Sequence, residues 1–230
     1  MKKRIVSIIL CITVVLAALI ACGKDNGDVD AATSGRVYEA GWRSAFDFSG
    51  IENGTYKIIS VSEAKDGKTN TRSSECKTEG NKSYYKTTND TNTEEKYYVE
   101  DDGVNYVYSV NSATGKWTKV VLQNNDFFPI FSDFADSSSN KNWGNTYTYF
   151  QYDAAKKIYV CTSDLSGVVD IDSEYDRISV SISDGKIAML KSEYNRPDEQ
   201  GGGTVVSTIL FYDLGTTEVT LPVEGSVVGQ

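Results

Sequence analysis

Chemistry in a protein begins with the residues able to carry it. This chain of 230 residues has 4 cysteines, 32 aspartates and glutamates, 23 lysines and arginines, and no histidine. The missing imidazole excludes Ser-His-Asp and Cys-His nucleophilic chemistry and zinc sites built on histidine. A carboxylate pair of the glycosidase kind remains chemically open, but the acidic residues are spread along the chain and none stands out as a pair. The densest acidic run is Asp170-Ile171-Asp172-Ser173-Glu174-Tyr175-Asp176. It lacks the central glycine and terminal glutamate spacing of a calcium loop and reads as a solvated loop. No catalytic residue, metal site or cofactor is assigned, and the chain is read as non-enzymatic.

The cysteines carry the remaining chemistry. Met1-Lys2-Lys3-Arg4 is basic, Ile5 to Ala21 is free of charge, and Cys22 follows directly. A basic start, an apolar core and a small residue at its end form a secretory leader. The uncharged run lies at the short end of the roughly 17–25 residues that cross a bilayer. Leu19-Ile20-Ala21-Cys22 resembles the bacterial lipobox. That resemblance implies cleavage before Cys22, a covalent diacylglycerol thioether on its sulfur, further acylation of the palmitate kind, and attachment to the cell membrane on its extracytoplasmic face. The alternative is an uncleaved anchor with a chance cysteine. Two acyl chains suffice for stable anchoring, at about 0.8 kcal/mol per buried methylene.

Cys11 falls inside the leader, so Cys76 and Cys161 are the pair left for the folded part. Outside the cytoplasm they are candidates for a disulfide; the other possibility is two buried free thiols on strands. The net charge of −9 becomes more negative once Lys2, Lys3 and Arg4 leave with the leader. Such a surface argues against nucleic-acid partners and against electrostatic docking on anionic lipid.

These residues need a scaffold. Residues 1–21 read as the signal peptide, 22–35 as a lipidated polar tether, 36–223 as a single domain and 224–230 as a fraying tail. Tyr38, Trp42 and Phe46 recur every fourth residue, which predicts a short amphipathic helix ending near Ser49-Gly50. From Thr55 onward the pattern alternates: strands at TYKIISVSE, TNTRSSECKTEG, SYYKTTN, EEKYYVED, VNYVYSV and KWTKVVL are separated by Gly, Asn and Asp turns. NTYTYFQYD, IYVCTSD, DRISVSIS, KIAMLKSEY, TVVSTILFYDLG and a short TTEVTLP continue the series, and NRPDEQGGG reads as a flexible loop. The result is a mainly β (β-rich α+β) domain with an antiparallel sheet of about ten or eleven strands, too wide to stay flat.

One stretch breaks the alternation. Phe127, Ile130, Phe131 and Phe134 stand at i, i+3, i+4 and i+7, with Pro129 in the first turn, and predict a central aromatic helix capping the sheet. Burial of such side chains is worth about 1.5–3 kcal/mol each. They are either ordinary core or, with Trp117, the lining of a cavity for an apolar ligand. Tyr98, Tyr106 and Tyr108 offer another surface, for stacking on glycans or meeting a protein partner, unless they simply pack in the sheet as tyrosine often does.

Taken together, the lipobox, the polar tether, the early helix, the meander KYYVEDDGVNYVYSVNSATGKWTKV and the closing Phe211-Tyr212-Asp213-Leu214-Gly215 to Val219-Thr220-Leu221-Pro222 resemble the LolA-like and LppX/LprG-like half-barrel superfamily of bacterial lipoproteins. The resemblance implies a strongly curved sheet partly closed by helices, with a lipid or another hydrophobic ligand held in the concave face of a monomeric protein. The lipid anchor sets this chain apart from the soluble LolA carriers.

Overall fold

A computed structural model describes residues 39–122, 143–161, 165 and 176–228. Cys22, the Phe127–Phe134 stripe and most of the acidic run at 170–176 lie outside them. Contacts divide the chain into Met1–Ser34 and Gly35–Gln230, and the description concerns the second unit.

A helix, α1 (Glu39–Phe46), precedes eleven strands: β1 (Gly54–Glu63), β2 (Thr69–Glu79), β3 (Lys82–Thr88), β4 (Thr93–Asp101), β5 (Val104–Asn111), β6 (Lys116–Val121), β7 (Gln151–Asp153), β8 (Ile158–Cys161), β9 (Arg177–Ser183), β10 (Lys186–Asn195) and β11 (Thr204–Tyr212). They form one antiparallel sheet in the order β6-β5-β4-β3-β2-β1-β11-β10-β9-β8-β7. The sheet is two meanders joined where β11 returns to pair with β1 over the full length Thr55↔Tyr212 to Glu63↔Thr204. It is curved and unclosed, with β6 and β7 as its edges.

Local chemistry explains the hairpins. Asp102-Gly103 and Asp184-Gly185 each place two successive residues at positive φ (51° and 76°, 52° and 72°). That is the tight turn whose twist matches the flanking strands. Gly203 serves a different need: a Cβ there would lie 2.0 Å from the Glu63 carbonyl oxygen, so no larger residue fits at the mouth of the β1–β11 ladder. The segment 196–203, expected to be a loose loop, carries a 3-10 turn at Asp198–Gln200 and returns a hydrogen bond from Arg196 N to Gly203 O at 2.8 Å.

The larger core cluster lies on one face. Trp42, Ala45 and Phe46 of α1 join Phe48, Tyr56, Cys76, Trp143, Phe150, Ile178, Val180 and Phe211 in a buried cluster. This gathers residues from strands on both sides of the β1–β11 seam around one short helix, as a curled sheet requires. Lys186 fastens the helix end, its Nζ donating to the carbonyls of Ser44 and Asp47, which satisfies carbonyls left over at a helix C-terminus.

Three expectations need correction. NTYTYFQYD is a 3-10 turn (Tyr147–Tyr149) followed by the short β7, because Thr146 and Trp143 turn the chain against α1. TTEVTLP forms no strand, since β11 and every strand from β1 to β5 are already paired on both sides. Instead, Val219 N donates to Glu79 Oε2 at 2.7 Å. The tail, expected to fray over 224–230, is bonded to the sheet at 225–227. Gly225 N donates to Trp117 O, Trp117 N donates to Ser226 O, and Lys116 bridges Val227, so the tail covers the free edge of β6.

Candidate ligand-binding face

In an antiparallel ladder, directly opposed residues point to the same side, so the register sorts every strand residue into the face that carries α1 or the face opposite. Cys76, Tyr56 and Phe211 are opposed in series on the α1 face. One pitch along, Ser74, Ile58, Ile209, Leu190, Val180 and Tyr159 form the next row. Of these, Val180 is buried and Ile58, Ile209 and Leu190 are half-buried. A bulge opposite Ile182 and Ser181 makes this possible: the register slips between Ile187 and Met189, so Ile187 and Leu190 both point inward.

α1 supplies the roof at one end. Trp42 is fully buried, lies tilted against Phe150 at 4.7 Å and Phe46 at 5.1 Å, meets Tyr159 edge-on at 5.4 Å, and donates Nε1–H to Trp143 O at 2.9 Å. Beneath it, burial drives the Tyr56 hydroxyl pKa upward, with the neighbouring Cys76 adding to the effect. Burial likewise pushes the Cys76 thiol up to about 11. Both groups therefore stay neutral, and this end of the face is apolar in effect.

Cys76 and Cys161 both belong to this core and are buried, with no disulfide between them. The disulfide considered for them is not formed. Their strands, β2 and β8, stand five places apart in the sheet, with Cys76 opposed to Tyr56 and Cys161 to Ile178.

The opposite face carries a second cluster: Val99, Tyr108 and Trp117 buried, with Tyr97, Tyr106 and Leu221 against them. Trp117 therefore lines no cavity beside α1. It sits on the other side of the sheet, 5.3 Å edge-on from Tyr97 and covered by the C-terminal segment. The alternation explains the misplacement, because Thr118, not Trp117, shares a face with Tyr85 through Ser109 and Lys96. The three tyrosines considered as one surface are likewise divided: Tyr98 is on the α1 face, while Tyr106 and Tyr108 are on the other, both beneath Lys119 at 4.0 and 5.8 Å.

That outer face has its own order. Tyr212, Thr55, Lys77, Tyr84, Tyr97, Tyr108 and Lys119 are opposed in a single row across seven strands. Beside it runs an alternating row of Lys57, Glu75, Lys86 and Glu95, with ion pairs at 3.8 Å for Lys57–Glu75 and 2.7 Å for Lys86–Glu95. Burial raises the Tyr84 pKa, and the Glu95 carboxylate that accepts its hydroxyl proton at 3.2 Å adds to the effect.

At the open end of the α1 face lies a polar cleft of about 390 Å³, lined by Asn70, Arg72, Thr87, Thr88 and the turn 89–92. Sequence reasoning missed both Arg72 and the inward serines, because period-two patterning assigns polar residues outward. The available signal was parity: Ser60 has the same parity as Ile58 and Tyr56 and so must share their side. Among the described residues no group of acidic residues and cysteines could hold a metal, and no helix is long and apolar enough to cross a membrane.

No family model and no curated protein matches the chain. Among solved structures, a DUF1329 family protein from Desulfovibrio piger is similar at 12% identity over 80% of this chain and 94% of its own, with a TM-score of 0.28. A LolA superfamily protein from Nitrosomonas europaea is similar at 11% identity over 80% and 94%, with a TM-score of 0.28. An outer membrane lipoprotein-sorting protein domain from Vibrio parahaemolyticus is similar at 11% identity over 80% and 92%, with a TM-score of 0.24.

Proposed function

We propose that this protein is a non-enzymatic lipoprotein, anchored through acylated Cys22 to the extracytoplasmic face of the membrane, that holds a lipid or another hydrophobic ligand on the α1 face of its sheet. The observation that supports this reading is the row Ile58–Ile209–Leu190. These aliphatic side chains point to the inside of a curved sheet yet stay half-buried, directly beside a closed aromatic core. Half-exposed apolar surface on a concave face is where an acyl chain gains most from leaving water.

Two measurements test it. Organic extracts of the purified domain, analysed by mass spectrometry, are expected to contain lipid, and a fluorescent fatty acid is expected to bind. No lipid in repeated extracts together with no fluorescent binding would sink the proposal. For the anchor, Cys22→Ser is expected to release the protein from membranes into the soluble fraction, whereas persistent membrane association would point to an uncleaved leader.

A second reading rests on the outer row. Tyr84 and Tyr97 offer half-buried rings on a single line with the buried Tyr108, edged by Lys77 and Lys119, a surface suited to a protein or glycan.

A further inference from the structure

The α1 face changes character along its length. One row runs Cys161, Ile178, Ser192, Ser207, Ser60, Arg72, each residue opposed to the next across β8, β9, β10, β11, β1 and β2. Its burial follows the same order: Cys161 and Ile178 are buried, the three serines are half-buried, and Arg72 is exposed. The row thus passes from core through hydroxyls to a guanidinium. It lies immediately beside the aliphatic row of Ile58, Ile209 and Leu190.

Arg72 is placed to receive something. It opens into the polar cleft together with Thr87, Thr88 and Asp90. The carboxylate of Asp90 is already engaged, accepting from Asn70 Nδ2 at 2.7 Å and from Thr71 N at 3.2 Å. The Arg72 side chain forms no ion pair or hydrogen bond among the described residues, in a chain whose net charge is −9. A free guanidinium offers a planar fork that matches a carboxylate or phosphate in bidentate fashion.

We infer that the ligand of the α1 face is a single-chain amphiphile with an oxyanion head group, its acyl chain lying over Ile58, Ile209 and Leu190 and its head held at Arg72. This rests on the proposed hydrophobic-ligand function and adds the head-group chemistry. From Leu190 on β10 to Arg72 on β2 is three strand spacings, roughly 14 Å at about 4.8 Å each, a span that an extended medium-length chain covers.

The test is calorimetric titration of the mature protein with dodecanoate, dodecyl phosphate, dodecanol and inorganic phosphate. Both charged amphiphiles are expected to bind about tenfold or more tightly than dodecanol, as a charge-assisted hydrogen bond implies. Arg72→Gln should abolish that preference while leaving the dodecanol affinity in place, and Arg72→Lys should restore part of it. Added salt should weaken only the charged ligands in the wild type, a check that needs no variant. Equal affinity for dodecanol and dodecanoate overturns the head-group inference and leaves the hydrophobic-ligand reading standing. An undiminished preference in Arg72→Gln overturns it too, as does inorganic phosphate binding as tightly as dodecyl phosphate, which marks a plain anion site. Failure of every chain-bearing ligand to bind overturns the proposed function itself.

Discussion

Cys76 shows how little a residue's type says without its surroundings. Two cysteines left over in a folded domain suggest a disulfide, yet this thiol is almost wholly buried beside Tyr56, its pKa pushed up to about 11 by that burial. A raised value in an acid means that the fold holds the proton more tightly than the unfolded chain does. The contribution to stability is therefore complete below the ordinary 9.0 and is lost as the pH climbs from there through the folded value. Two results are expected. Thiol reagents should label neither Cys76 nor Cys161 in the folded protein at neutral pH and both after urea unfolding, and oxidised preparations should keep the mass of the two-thiol form. Rapid labelling of the native state would contradict the burial.

At the scale of the element, the C-terminal segment replaces an expected strand. After β11 it is held by Gly215 N donating to Asn53 O at 2.8 Å, by the Thr55–Thr217 hydroxyl contact at 3.0 Å and by Val219 N donating to Glu79 Oε2. The Val219 amide, before all else, keeps the Glu79 carboxyl below its ordinary 4.5. A lowered value gives stability that is present above the ordinary pKa and lost as pH falls through the folded one. The protection of the Val219 amide, its exchange rate relative to the unfolded chain at the same pH, should therefore be high at neutral pH and fall on acidification below 4.5. Glu79→Ala should show the lost protection already at neutral pH. Because Leu221 covers Trp117, the same variant should shift tryptophan emission to the red. Unchanged exchange in Glu79→Ala would remove the carboxylate from any role in the hook.

For the whole molecule the decisive contact is Trp42. The helix that carries it has only eight residues, too short to persist alone, so it exists because the sheet curls around it. Trp42→Ala removes a fully buried indole touching Phe46, Phe150 and Tyr159 and should cost about 3–5 kcal/mol. Trp42→Phe keeps much of the ring but leaves Trp143 O without one donor, and should cost about 1–3 kcal/mol. Urea unfolding monitored by circular dichroism measures both, and a loss under about 1 kcal/mol for the alanine variant would show that the helix does not close the core.

The strands were legible because alternation and Gly, Asn and Asp turns are local. TYKIISVSE and DRISVSISDGKIAMLKSEY announce themselves, and β1, β9 and β10 stand where the pattern puts them. TTEVTLP reads equally well as a strand but found no free partner, since pairing depends on which edges remain. The early helix was legible from Tyr38, Trp42 and Phe46, though not its role as the center of the core. By itself, then, the sequence determined the β architecture and the absence of histidine chemistry, and it carried the lipobox resemblance at Cys22, because each rests on the residues themselves or on their near neighbours in the chain. Only the tertiary structure decided that Trp117 faces away from α1, that Cys76 and Cys161 stand five strands apart, and that Ser192, Ser207, Ser60 and Arg72 share one row. The physical reason is register: which side a residue faces follows from its own strand, but what stands opposite it depends on strands up to about 150 residues away, aligned by turns, a bulge and a helix that no local pattern specifies.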